Sequence, residues 1–198
     1  MPGATFTSLA KKPRDSVRGF AHRVARLILA LAAVLLLAPT ARSQEASEYL
    51  VEAAFVYNFA KFTTWPAQSF ADPAAPVTLC VIGKNEFGEA FDTVAGKSVG
   101  GRTVNVTHMA SLKPQDHCHV VFVARSERTR LSKIVKVNQK VQALTISDMD
   151  GFVEEGGMIR LVREPDDRIS FEINSKTAAA AGLKLSSKLL NLAKRIVN

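Results

Sequence analysis

Between Tyr49 and Pro66 the chain reads YLVEAAFVYNFAKFTTWP, and its apolar positions recur at helical spacing. Phe55, Phe59 and Phe62 fall at i, i+4 and i+7, so they share one face of a helix. Ala53, Val56 and Ala60 lie beside them and widen that face. Ser47 is placed to cap the helix, Glu48 suits the positive end of its dipole, and Pro66 ends it with Trp65 extended. The stripe is too broad for a helix alone in water, so it must lie on a sheet. Packing explains most of these aromatics. Tyr49, Tyr57 and Trp65 are the three offered as a ligand or dimer surface.

Further along, the period changes. Val77 to Gly83 (VTLCVIG) and Cys118 to Ala124 (CHVVFVA) are apolar at successive positions, as in strands covered on both faces. Val104 to Met109 alternates like a half-exposed strand, and Ala143 to Ser147 reads as another. Met158–Val162 and Arg168–Asn174 alternate about the turn REPDD, which predicts a hairpin. Helical spacing is expected over 86–94, with Phe87, Ala90, Phe91 and Val94 inward, and over 130–137, with Leu131, Ile134 and Val135 inward. It is also expected over Ser175–Ala181, up to Gly182, and over Ser186–Ile196. Helices alternating with strands predict an α/β fold: a single domain with a mixed, mostly parallel sheet, an antiparallel edge hairpin, and helices covering it.

The amino-terminal part changes the reading of charge. Six Lys and Arg residues precede Leu27–Ala38, a purely apolar run of 12 residues. A membrane-spanning helix needs about 20. The run has the length of a secretory h-region, and Ala41-Arg42-Ser43 supplies small residues before Gln44. Residues 1–43 are therefore expected to be a cleaved signal peptide and 44–198 the folded domain. The whole chain has 26 basic and 18 acidic residues, but that leader holds seven Lys/Arg and one Asp, which leaves 19 and 17, a net of +2. The basic balance belongs to the leader and gives no reason to expect a nucleic-acid partner.

Both cysteines, Cys80 and Cys118, lie beyond the leader. Two cysteines in an exported chain favour a disulfide over two buried thiols. In a strand Cys118 points opposite to His117 and His119, toward the strand of Cys80. A loop of this length is worth roughly 4 kcal/mol as an upper figure in the chain-entropy model.

Reaction chemistry is sparse. The nucleophile elbow, the zinc-protease helix motif and the phosphate-binding loop are all missing. His117 and His119 have no third ligand at a recognisable spacing, so no metal is expected. Asp148 and Asp150 before Gly151 resemble the start of a calcium loop, but Ile159 stands where the bidentate Glu belongs. Arg102 after Gly100-Gly101 could grip an anion or pair with an acid. No cofactor and no catalytic residue is assigned. Glu172, Lys188, Lys194 and Arg195 are outward-facing candidates for a partner surface.

Taken in order, several stretches carry a resemblance: YNFAKFTTWP, VTLCVIG before a helix, GGRTVNV and DHCHVVFVA. Beyond them come the Asp148–Gly157 segment with its Asp-x-x-Gly-Phe and Gly-Gly, the strand FEIN, and the ending GLKLSSKLLNLAKRI. Together these resemble the YfiR family, and the likeness runs from Tyr49 to Ile196. It implies a small periplasmic regulator, not an enzyme. Such a regulator would bind the periplasmic domain of an inner-membrane diguanylate cyclase of the GGDEF type, restrain cyclic di-GMP synthesis and so control biofilm formation. The resemblance also implies a homodimer and a role for redox state. Some relatives carry a second cysteine pair near the acidic loop. Met149, Phe152 and Val153 stand there, so redox sensing would fall to Cys80–Cys118 alone. The alternative is a periplasmic small-ligand sensor acting on a membrane sensor kinase.

Overall fold

The computed structural model describes residues 40–84 and 87–197, with side chains from Glu48 onward. The expected leader over 1–43 lies outside the described residues except for its last four, which form the first turn of a helix. Residues 45–198 make one compact unit. No helix among the described residues is long and apolar enough to cross a membrane.

The helix α1 spans Thr40–Lys61, eight residues longer at its start than the Ser47 cap predicts. It stops where Thr63 turns its hydroxyl back onto the Phe59 carbonyl, 2.8 Å away, ahead of Pro66. Two residues, β1 (Thr63–Thr64), pair with β9 (Lys184–Leu185) in a small antiparallel sheet. The main sheet holds eight strands. They are β2 (Val77–Ile82), β3 (Ser98–Val99), β4 (Arg102–Met109), β5 (Val120–Val123), β6 (Leu144–Ser147), β7 (Ile159–Arg163), β8 (Ile169–Asn174) and β10 (Arg195–Val197). Their order is β3-β4-β2-β5-β6-β7-β8-β10. The five central strands from β4 to β7 are mutually parallel, and β7–β8 and β3–β4 are antiparallel. The expected mixed, mostly parallel α/β sheet is present.

Alternation sorts the side chains of the central strands into two cores. Leu79 and Val81 of β2, with Phe122, Ile146 and Ile159, face α1 through Ala53, Val56 and Phe59. Cys80 and Ile82, with Val121 and Val123, face the second helix, α2 (Leu131–Val141), through Leu131 and Ile134. Strands buried on both faces are why VTLCVI and VVFV read as continuous apolar runs. The α1 aromatics meet the far strands: Phe59 packs on Phe171 at 4.9 Å between ring centroids.

Short elements follow local chemistry. In 87–94 only a 3₁₀ turn over Phe91–Val94 forms, yet Phe87, Ala90, Phe91 and Val94 are all buried as expected. The Asn174 side chain accepts from the Thr177 backbone N–H at 2.8 Å and caps α3 (Ser175–Ala180). Ser186 accepts likewise from Leu189 to start α4 (Ser187–Leu192).

The carboxy terminus corrects the reading of one long helix over Ser186–Ile196. Ala193 is extended (φ −67°, ψ 133°), and Arg195–Val197 run parallel beside β8 as the edge strand β10. Three more backbone pairings and a carboxylate opposite Arg195 outweigh another helical turn. The β7–β8 hairpin therefore sits one strand in from the edge.

Candidate functional site

In a parallel sheet of this kind the strand order reverses about β2, and ligands commonly enter the crevice beyond the carboxyl ends at that point. Its described walls touch. Gly83, at φ +104°, follows β2, and a Cβ there would stand 2.6 Å from the Ser126 hydroxyl. That hydroxyl accepts from the Lys84 backbone N–H at 2.9 Å. Glycine is needed here because β5's exit loop fills the space.

At the other end of the sheet, Trp65 does not reach the surface. Its indole N–H donates to the His119 carbonyl at 3.0 Å, and the ring is 9% exposed. This corrects its assignment to a ligand or dimer surface: a buried indole needs an acceptor, and β5's entry supplies one. His119 is itself buried. Its Nδ1 accepts from the Thr78 N–H at 3.1 Å, so Nε2 carries the proton and donates to the Ser69 carbonyl at 3.0 Å. Burial pulls its pKa below the ordinary value, and the nearby Arg102 adds to this. The Phe70 ring stacks on His119 at 4.4 Å, and the Arg102 guanidinium lies 3.8 Å over Phe70. Arg102 donates to the carbonyls of Asp72 (3.0 Å) and Ala75 (2.7 Å), so it holds the 70–76 loop. Both of these contacts are to backbone carbonyls rather than to a carboxylate.

Beside this cluster, Cys80 and Cys118 are joined in a disulfide, with 5.8 Å between their Cα atoms. Their strands β2 and β5 are hydrogen-bonded neighbours. Cys118 precedes His119, so covalent bond and polar cluster fix the same strand entry.

The partner-surface candidates divide. Glu172 is not outward-facing but buried, because two arginines from neighbouring strands close over it. Arg195 of β10 donates through Nε (3.0 Å) and Nη2 (2.8 Å), and Arg160 of β7 through Nη1 (3.3 Å). Arg195 also bridges to Glu154 and Arg160 to Asp150. The Arg195 guanidinium holds the Glu172 carboxyl below the ordinary glutamate range, against a smaller opposing effect of burial. Lys194 pairs with Glu164 at 2.6 Å, and Lys188 is exposed. In the same carboxy-terminal stretch Leu192 is 70% and Ile196 40% exposed. The edge thus presents two exposed apolar side chains near basic groups, of which Lys194 and Arg195 are paired with acids.

The tyrosines are half-buried. Tyr49 packs on Phe87 at 4.6 Å, and the Tyr57 hydroxyl donates to the Ser98 carbonyl at 2.8 Å. Lys61 and Lys97 flank the Tyr57 ring at 5.5 and 5.3 Å.

A buried acid on α1 escaped sequence reasoning. Glu52 is 4% exposed, and its Oε1 accepts from Arg163 at 3.0 Å, while Glu48 takes the other arm of that guanidinium. Oε2 has no hydrogen-bond partner among the described residues. Burial is the largest influence and raises the Glu52 pKa, despite Arg163. The signal was legible: an acid three and four residues before Phe55 and Val56, on the helix face that the stripe buries. Its partner, 111 residues away, was not.

Together these features define a doubly wound α/β domain, stapled at one strand entry, whose distinctive groups lie on an edge surface. The chain belongs to the YfiR/HmsC-like family, whose model matches residues 49–194. No curated protein is significantly similar to it in sequence. Among solved structures it is similar to an ABC domain in complex with L-Trp from Streptococcus pneumonia. The identity is 13% and the TM-score 0.46, over 72% of this chain and 60% of that one. It is also similar to a conserved domain protein from Vibrio cholerae O1 biovar El Tor strain N16961. There the identity is 13% and the TM-score 0.45, over 61% of this chain and 54% of that one. The chain thus spans little more than half the length of either.

Proposed function

We propose that this protein is a periplasmic regulator that binds the periplasmic domain of an inner-membrane diguanylate cyclase and holds it inactive, without catalysis of its own. Family membership over 49–194 carries this reading. The disulfide supports it, because such bonds persist in an oxidising compartment. The partner surface is the β10–α4 edge, with Leu192 and Ile196 as apolar contacts and Lys188, Lys194 and Arg195 as its basic rim. Glu172 acts from beneath by holding Arg195. An interface of this make-up suits a partner patch that is acidic around an apolar centre. A homodimer would use the α1 face near Tyr49 and Tyr57.

Deleting the gene should raise cyclic di-GMP and biofilm mass, and Leu192→Asp should reproduce the effect with the protein still folded. Affinity capture from membranes should recover a GGDEF-type protein. Unchanged cyclic di-GMP in the deletion would overturn the proposal, and capture of a sensor kinase instead would reassign the partner.

A further inference from the structure

A cavity of about 300 Å³ opens between α2 and α3, and no β10 residue lines it. We propose that it binds a small carboxylate that carries a second hydrogen-bond acceptor and an apolar body.

The cavity exists because of the residues around it. The α3 sequence SKTAAA ends in side chains too short to reach α2, so Ala180 and Ala181 leave space opposite Val135. Gly156, at φ +93°, closes one wall, and a Cβ there would stand 3.0 Å from Val135 Cγ1. Met158 forms part of the apolar lining.

Two polar groups set the ligand's chemistry. Thr145 is 2% exposed and lines the cavity. Its Oγ1 accepts from the Met158 backbone N–H at 3.1 Å, and among the described residues no acceptor takes its hydroxyl proton. A buried donor left unmade is costly, and a ligand oxygen would relieve it. Lys176 is exposed at the mouth and makes no ion pair among the described residues. No Asp or Glu lines the cavity. The lining therefore offers one cation and one buried hydroxyl donor, with Gln139 and Thr177 as further neutral polar residues and the Asn138 amide already committed to the Ala143 backbone, and it opposes a cationic ligand. The volume is at the small end for ligand pockets, which fits a ligand of roughly ten non-hydrogen atoms.

The test is nitrogen-15 NMR titration of the residue 44–198 protein with 4-hydroxybenzoate and 4-oxopentanoate, each compared with its neutral amide. The expected result is saturable shifts at Thr145, Gly156, Met158 and Ala180, with millimolar affinity for so small a probe. The amides should bind about tenfold or more weakly, and so should the carboxylates to Lys176→Glu, a surface change that leaves the core untouched. Ala180→Leu, which fills the space from an exposed helical position, should abolish the shifts. Absence of saturable shifts with both carboxylates would overturn the proposal. Equal binding of acids and amides, or an unaffected Lys176→Glu, would do the same. The inference does not rest on the proposed regulation, and either can fail while cyclic di-GMP measurements or the titration uphold the other.

Discussion

His119 concentrates more structural connections than any charged candidate. Its carbonyl receives Trp65, its Nδ1 receives Thr78, and its Nε2–H reaches Ser69. The Thr78 contact requires the neutral ring, because a proton on Nδ1 would oppose the Thr78 N–H. Its folded pKa lies below the ordinary 6.5, so the unfolded chain takes up a proton first as pH falls. The contribution of His119 to stability is therefore complete above that value and is lost as pH drops through it toward the folded pKa. Urea midpoints measured from about pH 7.5 down to about 5.5 should fall, and His119→Asn, which keeps an acceptor for Thr78, should flatten that fall. An identical slope in the variant would remove His119 from the account. At neutral pH the variant should lose about 1–3 kcal/mol, since the Ser69 contact and the Phe70 stacking go.

At the scale of elements, β10 shows how a strand can be held by charge. Three backbone residues pair with β8, too few to hold an edge by themselves. Arg195, the first of them, sits in register opposite Glu172, and the Asp150–Arg160–Glu172–Arg195–Glu154 chain ties β7, β8, β10 and the acidic loop together. Removing the central charge alone, by Glu172→Gln, leaves two guanidinium groups facing a neutral amide. Arg195 is 43% exposed, so water offsets part of the loss, and the cost should be about 1–3 kcal/mol. Amide exchange at Ile196 and Val197 should accelerate while β2 and β5 keep their protection; unchanged exchange at β10 would show that packing, not charge, holds it. The native Glu172 contribution should also vanish at low pH. Its folded pKa is depressed, so the stabilisation is present at neutral pH and is lost as pH falls below 4.5 toward the folded value. This edge was hidden in the sequence because Leu189, Leu190, Leu192, Ala193 and Ile196 keep helical spacing beyond the point where the helix stops. The two-residue strands β1 and β9 carry no period at all. By contrast, β2 and β5 were readable from their unbroken apolar runs, and the Asn174 cap from its position between FEI and the alanines. Trp65 and Glu172 were misplaced for a shared reason: their partners lie 54 and 23 residues away. A sequence shows a polar side chain without showing what will cover it.

For the molecule as a whole, the disulfide and the single tryptophan provide one measurement of several claims. Cys80–Cys118 has a sequence separation of 38 and includes the end of β2 and all of β3 and β4 in its loop, so it constrains how one half of the sheet can unfold. In the chain-entropy model that constraint is worth up to about 4 kcal/mol, with native-state strain or residual unfolded structure reducing it. Trp65 is the only tryptophan, and its indole is anchored to the residue after Cys118. Its fluorescence therefore reports directly on the strand entry that the disulfide fixes. Dithiothreitol should lower the urea midpoint followed by Trp65, and Cys80→Ala/Cys118→Ala should match the reduced protein with no further response to reductant. If reduction also shifts the native-state emission before unfolding, the bond controls the Trp65–His119 contact and can pass redox state to β1 and its partner β9, which leads into α4 at the proposed partner surface. If the native emission is unchanged and only the midpoint moves, the disulfide is a staple, and redox control of partner binding would need another route.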